Sequence, residues 1–402
     1  MKDKLLTKMT DRRIIKKIDQ KKLRLAVHVL AGMYFAACVW LYFQQSVAVL
    51  DESLTSIPYQ SDLPLHISMI VEDGWYYSFT AYVYQLLYWL CGGSTIGIAV
   101  FLAVVTWATV YATELLVCHL WKRARDGVTL LLALSLNFVM PVYLSFVGEF
   151  HYVSYQSGNI WHNSTYLCMR LAALVTFLYY LKLEETYREG ISAREWLIFM
   201  LLNVITTGIK PSFLVVYSPI VGVFLLADVV RGVPWKRVLT FGSALLPSGL
   251  VILWQNGVLF GEDTGNGITF EPWYTFSRHA NIVKAAVVCS VLFCGLVIVI
   301  RCRKLIRERS SIFIILMTVL GFLEALCLVE SGSRSLDGNF LWGYSFCIFV
   351  LFALCAVKWL QMGGGRRQML LKIGLGVVYA WHLYCGLYFF ISLVTGASYW
   401  MR

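Results

Sequence analysis

The chain has 402 residues, 59% of them hydrophobic and 14% charged, where an average soluble protein is about 25% charged. Its formal net charge is +11, from 34 basic and 23 acidic residues. This composition excludes a soluble globular protein and points to a membrane protein with nearly all its length in spans, leaving no long polar stretch for a separate domain. No nucleic-acid motif accompanies the positive charge. It reads as topology, because Lys and Arg gather in cytoplasmic loops, so membrane lipid and not nucleic acid is the expected partner. The eleven cysteines form no CxxC and no zinc spacing with histidine. Those inside apolar runs, such as Cys38, Cys289 and Cys347, read as small packing residues.

Residues 1–24 form a basic tail, expected on the cytoplasmic side against anionic lipid. It is not read as a cleavable signal, because the apolar run after it has the length of a span. About 20 apolar residues cross a bilayer as a helix. That ruler predicts an all-α, polytopic, single-domain chain over 1–402 with about eleven transmembrane helices. They are placed near 25–43, 95–120, 128–146, 166–182, 196–209, 212–229, 238–259, 282–300, 311–329, 341–358 and 369–393. With the N-terminus in the cytoplasm, the tail and cytoplasmic loops hold 27 of the 34 Lys and Arg residues. The positive-inside rule supports that orientation and places Arg402 outside.

Residues 44–94 then form the first outer loop. Within it, Tyr59 to Trp75 carries Asp62, His66, Glu72 and Asp73, and no Lys or Arg lies between Phe43 and Tyr76. If 63–71 is a juxtamembrane helix, Asp62 and His66 lie near one face, four residues apart. A carboxylate and an imidazole so placed can manage a proton in group transfer. Asp62, two residues before Pro64, equally reads as a helix N-cap. The tyrosine-rich stretch 76–91 is too short for a span and reads as interfacial or re-entrant.

The later outer loops add His151, His162, Asn163, His279 and Asp337, and four bases on the side that topology disfavours: Arg170, Lys210, Arg278 and Arg334. Such bases suit an anion, most simply a lipid phosphate. Snorkelling or ion pairing is the plainer alternative. In WHNST, 161–165, Asn163 or Ser164 caps the next helix or contacts a sugar. The join Ile209-Lys210-Pro211 is a broken, charged turn at membrane depth, either lining a wet cavity or snorkelling. Glu114 and Glu324 fall within spans, Glu114 near enough to the cytoplasmic end to snorkel. There is no DxD, P-loop, HExxH or GxSxG.

This organisation resembles the GT-C superfamily of polytopic membrane glycosyltransferases. The likeness lies in the many spans, the cytoplasmic N-terminus and the long first outer loop with Asp62 beside a juxtamembrane helix. The resemblance implies inverting transfer of a sugar from a polyprenyl-phosphate-linked donor to a glycan or lipid-linked acceptor, on the outer face of a bacterial cytoplasmic membrane. Asp62 is then the general base and His66 orients it or shares its proton. Arg170, Lys210, Arg278 and Arg334 hold donor phosphate. Glu72, Asp73, His162, Asn163, His279 and Asp337 contact substrate, and Trp75, Trp161 and Trp273 stack on sugar rings. No cofactor is demanded, although a divalent metal has room. Many members carry a soluble outer domain after the spans; none is visible here, which favours a small or lipid-linked acceptor. Three other readings stand beside it: a transporter or flippase for a lipid-linked sugar, a polysaccharide polymerase or ligase, and a scaffold without ligand.

Overall fold

The computed structural model describes residues 19–49, 57–259, 267–332, 335 and 337–402. Arg334, the basic tail up to residue 18, and the outer-loop acids Asp51, Glu52, Glu262 and Asp263 lie outside the described residues. The chain is an all-α polytopic membrane protein. Its elements are α1 Gln20–Ser46, α2 Leu63–Val71, α3 Phe79–Leu90, α4 Ile96–Trp121, α5 Gly127–Leu136, α6 Ser164–Glu184, α7 Ala193–Ile209, α8 Ser212–Val230, α9 Trp235–Ser243 and α10 Leu246–Leu259. There follow β1 Ile268–Phe270, α11 Tyr274–Ser277, α12 Val283–Leu305, α13 Arg309–Cys327, β2 Leu328–Glu330, α14 Leu341–Leu360 and α15 Arg366–Val394. The two strands pair antiparallel, with Thr269 opposite Val329.

Among the described residues nine helical stretches are long and apolar enough to cross a membrane, α9 and α10 counting as one. Two of the eleven expected spans fall short. The 17 residues of α7 rise about 25 Å, somewhat under a hydrocarbon core of about 30 Å. The expected span at 128–146 is helical only over Gly127–Leu136, about 15 Å or half the core. Asn137 turns its amide back on the Ala133 carbonyl at 2.9 Å, and Pro141 cannot continue a helix. The stretch 76–91 does hold a helix too short to span, α3, whose Tyr82, Leu86 and Trp89 are exposed while Thr80, Ala81 and Tyr84 face inward.

At the centre stands α14. Every residue from Trp342 to Lys358 is buried, the pattern of a helix surrounded by protein on all sides. Helices α4, α12 and α13 pack around it, and α1 packs on α4 and α5.

From Asn137 to Asn163 the chain is non-helical, exposed around Phe146 but deeply buried toward both ends, with Val139, Met140, Val142, Ile160 and Trp161 each at most 3% exposed. Backbone at this depth must find its hydrogen-bond partners within the protein. Asn159 donates both amide hydrogens, to the Leu136 and Val139 carbonyls, each at 2.8 Å. Arg170 donates to Asn159 Oδ1 at 2.6 Å and to the Gly158 carbonyl at 3.3 Å. The Tyr166 hydroxyl reaches the same Gly158 carbonyl at 2.8 Å. His382, fully buried in α15, places Nδ1 2.7 Å from the Met140 carbonyl and accepts from the Phe293 amide on Nε2 at 3.3 Å. Phe293 lies just past Val291, whose φ of −129° and ψ of 20° kink α12.

One end of the bundle is closed by ion pairs. Glu114 accepts from Arg24 at 2.6 Å, from Arg125 at 2.8 Å and from Thr129 at 3.1 Å. It does not snorkel, being fully buried. Asp228 of α8 accepts from Tyr187, twice from Arg309 at 2.6 and 2.8 Å, and from Arg188 at 3.1 Å. The opposite end, where α1 finishes and α4 begins, carries Asp62.

Candidate functional site

Asp62 occupies the N-cap position of α2, with Pro64 in the first turn, but its side chain makes no capping bond. Its backbone is helical, at φ −76° and ψ −7°, and the Leu63 amide is taken by Ser61 Oγ at 3.3 Å. The carboxylate turns away from its own helix and accepts from the Asn163 amide, 2.6 Å from Oδ2. The Asp62 side chain thus caps no helix, whereas the cap expected of Asn163 or Ser164 is found. Asn163 is the true cap, its Oδ1 accepting from the Tyr166 amide at 2.9 Å at the start of α6. Because Oδ1 is committed to the cap, Nδ2 must face Asp62, which fixes the amide's orientation. The backbones are tied as well, the Asp62 amide donating to the His162 carbonyl at 3.2 Å.

Helix α2 brings His66 to the same face. Its Nδ1 lies 3.0 Å from Ser164 Oγ, and its charge bears on Asp62. Lys210 arrives from the join between α7 and α8. The carbonyls exposed by that break are satisfied, Gly208 by Gln255 at 3.2 Å and Ile209 by Ser78 Oγ at 2.6 Å. The ammonium group turns inward, not out to lipid. It donates to Thr165 Oγ1 at 3.1 Å and lies 5.1 Å from the centre of the Trp342 ring. Thr165 in turn donates to Asn163 Oδ1 at 3.0 Å. A continuous polar chain thus runs Asp62, Asn163, Thr165, Lys210, and continues through Trp342, whose Nε1 donates to Asn339 Oδ1 at 2.9 Å, to Glu330 at 2.8 Å from Asn339.

Asp62, His66 and Lys210 are all partly exposed, so the cluster is both set into the protein and reachable. Burial raises the Asp62 carboxyl above the usual carboxylate range, against the opposing pulls of the His66 charge, the Asn163 amide and Lys210. Behind the carboxylate stand three aromatic rings. His162 is 4% exposed and stacks on Tyr399, with centroids 4.1 Å apart and 8° between planes. It meets Tyr152 edge-on at 4.7 Å. Burial pushes the His162 imidazole down to about 3, so it is neutral near pH 7. The Tyr152 phenol is raised by burial and by the Asp62 charge. A half-buried carboxyl with shifted affinity for protons, beside an ammonium group, has the make-up of a proton acceptor next to an anion site.

The other expected site residues lie elsewhere. Glu72 and Asp73 are exposed at the far end of α2, about 15 Å along the helix from Asp62; Glu72 accepts from Ser68 at 2.7 Å. Arg170 is fully buried beneath the 158–163 segment, holding it as described, with Nε and Nη2 lacking hydrogen-bond partners among the described residues. Its guanidinium lies 5.1 Å from the Phe349 ring centre. Arg278 sits over Tyr274 at 5.8 Å, and His279 packs edge-on to Trp400 at 5.0 Å. Asp337 is 3.4 Å from the Asn339 amide. Trp161 is a core residue, 1% exposed, its Nε1 bonded to the Tyr34 hydroxyl at 2.9 Å, and cannot stack on a sugar. Thr165, Trp342, Tyr152 and Tyr399 were not singled out from sequence. Thr165 had a signal, lying inside WHNST; the three aromatics, at span edges and in loops, look like any interfacial anchor.

Among the described residues no group of three or more His, Cys, Asp or Glu side chains is arranged to hold a metal ion. The donors at Asp62 do not fit a divalent cation either: one carboxylate, with the Lys210 charge bearing on it. The chain matches no protein-family model and no curated protein.

Proposed function

We propose that the chain is a membrane glycosyltransferase that moves a sugar from a polyprenyl-phosphate-linked donor to an acceptor on the outer face, with inversion and with Asp62 as general base. One observation carries this reading: the Asp62 carboxylate abandons its helix cap and is held by Asn163, with His66 and Lys210 beside it. In the reaction, the acceptor oxygen bonds to the anomeric carbon as its proton passes to Asp62. The bond from that carbon to the phosphate oxygen breaks, and the phosphate leaves with the electron pair. Lys210 meets the charge that develops on the phosphate. Asn163 and His66 keep the carboxylate aimed, and the neutral His162 packs behind them. Arg170 is assigned to holding the segment that carries Asn163.

The test is transfer of a labelled sugar from a polyprenyl-phosphate donor by purified protein, comparing the parent with Asp62→Asn. Transfer by the variant at the parent rate rejects the assignment. A second reading, a transporter for a lipid-linked sugar, is favoured by a different observation: the buried irregular segment 137–163 and the broken α7–α8 join. Discontinuous backbone of this kind lines substrate sites in transporters. Movement of intact donor across a vesicle membrane, without cleavage, decides for it.

A further inference from the structure

After α15 the chain crosses the Asp62 end of the bundle in residues 395–402. The crossing begins where the Tyr59 hydroxyl donates to the Val394 carbonyl at 3.4 Å. Ser398 Oγ then donates to Gln60 Oε1 at 2.7 Å. Tyr399 stacks on His162, the His151 amide donates to the Met401 carbonyl at 2.9 Å, and Arg402 pairs with Glu149 at 2.6 Å. Gln60 lies two residues before Asp62, and His162 one before Asn163. The segment therefore rests on both stretches of chain that meet at the Asp62 carboxylate. Tyr152, whose phenol senses the Asp62 charge, touches the same Tyr399 ring at 6.5 Å.

We propose that residues 395–402 are a lid beside the Asp62 carboxylate, hinged at Gly396 and latched by Arg402 on Glu149, and that the partly exposed carboxylate becomes fully accessible to substrate when this lid swings away. The hinge is suited to the task. Gly396 has φ of +106°, a conformation that L side chains rarely adopt, and hinges absorb their motion in a few such residues. The latch is suited too. Its side chains are 75% and 46% exposed, and exposed ion pairs are weak and screened by salt. A weak latch over a well-packed aromatic stack gives a lid that is mostly closed and opens thermally. The inference rests on Asp62 being the working carboxylate and is indifferent to the reaction it serves.

The test measures access to Asp62 directly. A hydrophobic carbodiimide labels the carboxyl, and peptide mass spectrometry reads the rate at Asp62, with Asp62→Asn as the blank. Glu149→Cys and Arg402→Cys are joined by a reducible dithiol-reactive linker, with Glu149→Cys alone treated in parallel. If at least nine-tenths of the labelling passes through the open state, bridging slows it at least about tenfold, and reduction of the linker in the same sample restores it. Arg402→Ala then labels at least as fast as the parent. Equal labelling of bridged and reduced protein overturns the lid. Labelling that follows the bridge in a protein that transfers no sugar leaves the lid standing and sinks the glycosyltransferase reading instead.

Discussion

Two ends of this bundle treat a sunken carboxylate in opposite ways. Glu114 is fully buried and saturated: two arginines and a threonine hydroxyl fill both its oxygens. Asp228, nearby in character, accepts from Tyr187, Arg188 and Arg309. Asp62 has a neutral amide as its close donor and keeps surface exposed, while its cationic neighbours act through the field. A carboxylate locked among cations cannot exchange its proton without a large penalty. One held by an amide can. The first arrangement joins α1, α4 and α5; the second leaves a group free to do chemistry.

That contrast can be broken in order of expected effect. Glu114→Ala leaves Arg24 and Arg125 without their shared partner; because both arginines keep some contact with solvent, the cost lies toward or below the lower end of the about 3–5 kcal/mol of a wholly buried pair. Thermal unfolding in detergent should show a large loss of stability, while carbodiimide labelling of Asp62 in the surviving folded protein is unchanged. Asp62→Asn should do the reverse. It keeps the shape and an acceptor oxygen for Asn163, so unfolding barely moves, while transfer falls by about a hundredfold or more. A variant at 62 that unfolds early while retaining transfer would put Asp62 in the structural class with Glu114.

Lys210→Met comes next. Removing a charge-assisted contact costs on the order of 1.5–3 kcal/mol, or about tenfold to a hundredfold in affinity for a lipid phosphate. Lys284→Met, at an exposed position of α12, is the control, and equal losses would mean general surface charge is at work. The smallest effect, at most about 1.4 kcal/mol over the first pH unit below the unfolded value, is on pH dependence. His162 holds its proton far less tightly when folded, at about 3, than an ordinary imidazole near 6.5. Between those values the unfolded chain binds the extra proton, so stability falls as pH drops below about 6.5. His162→Phe should flatten that acid limb in a melting series; an unchanged slope would assign it to other groups.

The sequence made the membrane architecture legible because hydropathy and the placement of Lys and Arg are summed over many residues. Asp62 and His66 were legible as a pair because a helical spacing of four is local. What escaped depends on contacts made far along the chain. The cap reading of Asp62 failed because Asn163, 101 residues away, captures the carboxylate. The span at 128–146 failed because apolarity reports burial, not helicity, and this segment is buried without being helical. Arg170 was read as an anion site because an arginine on the disfavoured side needs a reason; the reason found is Asn159 and the Gly158 carbonyl. The base at the α7–α8 join reads two ways from sequence, and the inward turn of Lys210 toward Thr165 removes the snorkelling one.

The seating of the irregular segment has a consequence for how the molecule is made. Met140 and His382 exchange backbone and ring contacts across 242 residues. At Gly386 a Cβ would sit 1.4 Å from the Phe138 carbonyl oxygen, so only glycine lets α15 approach. The segment that carries Asn163 to Asp62 therefore has its wall supplied by a helix more than 200 residues further along the chain. Helices α1 to α14 can each be inserted and still lack a finished site, because contacts of such long range form only after the intervening chain is in place. Seating of the Asn163 segment therefore waits for α15, and a chain stalled before that helix lacks the wall against which Asn163 is positioned.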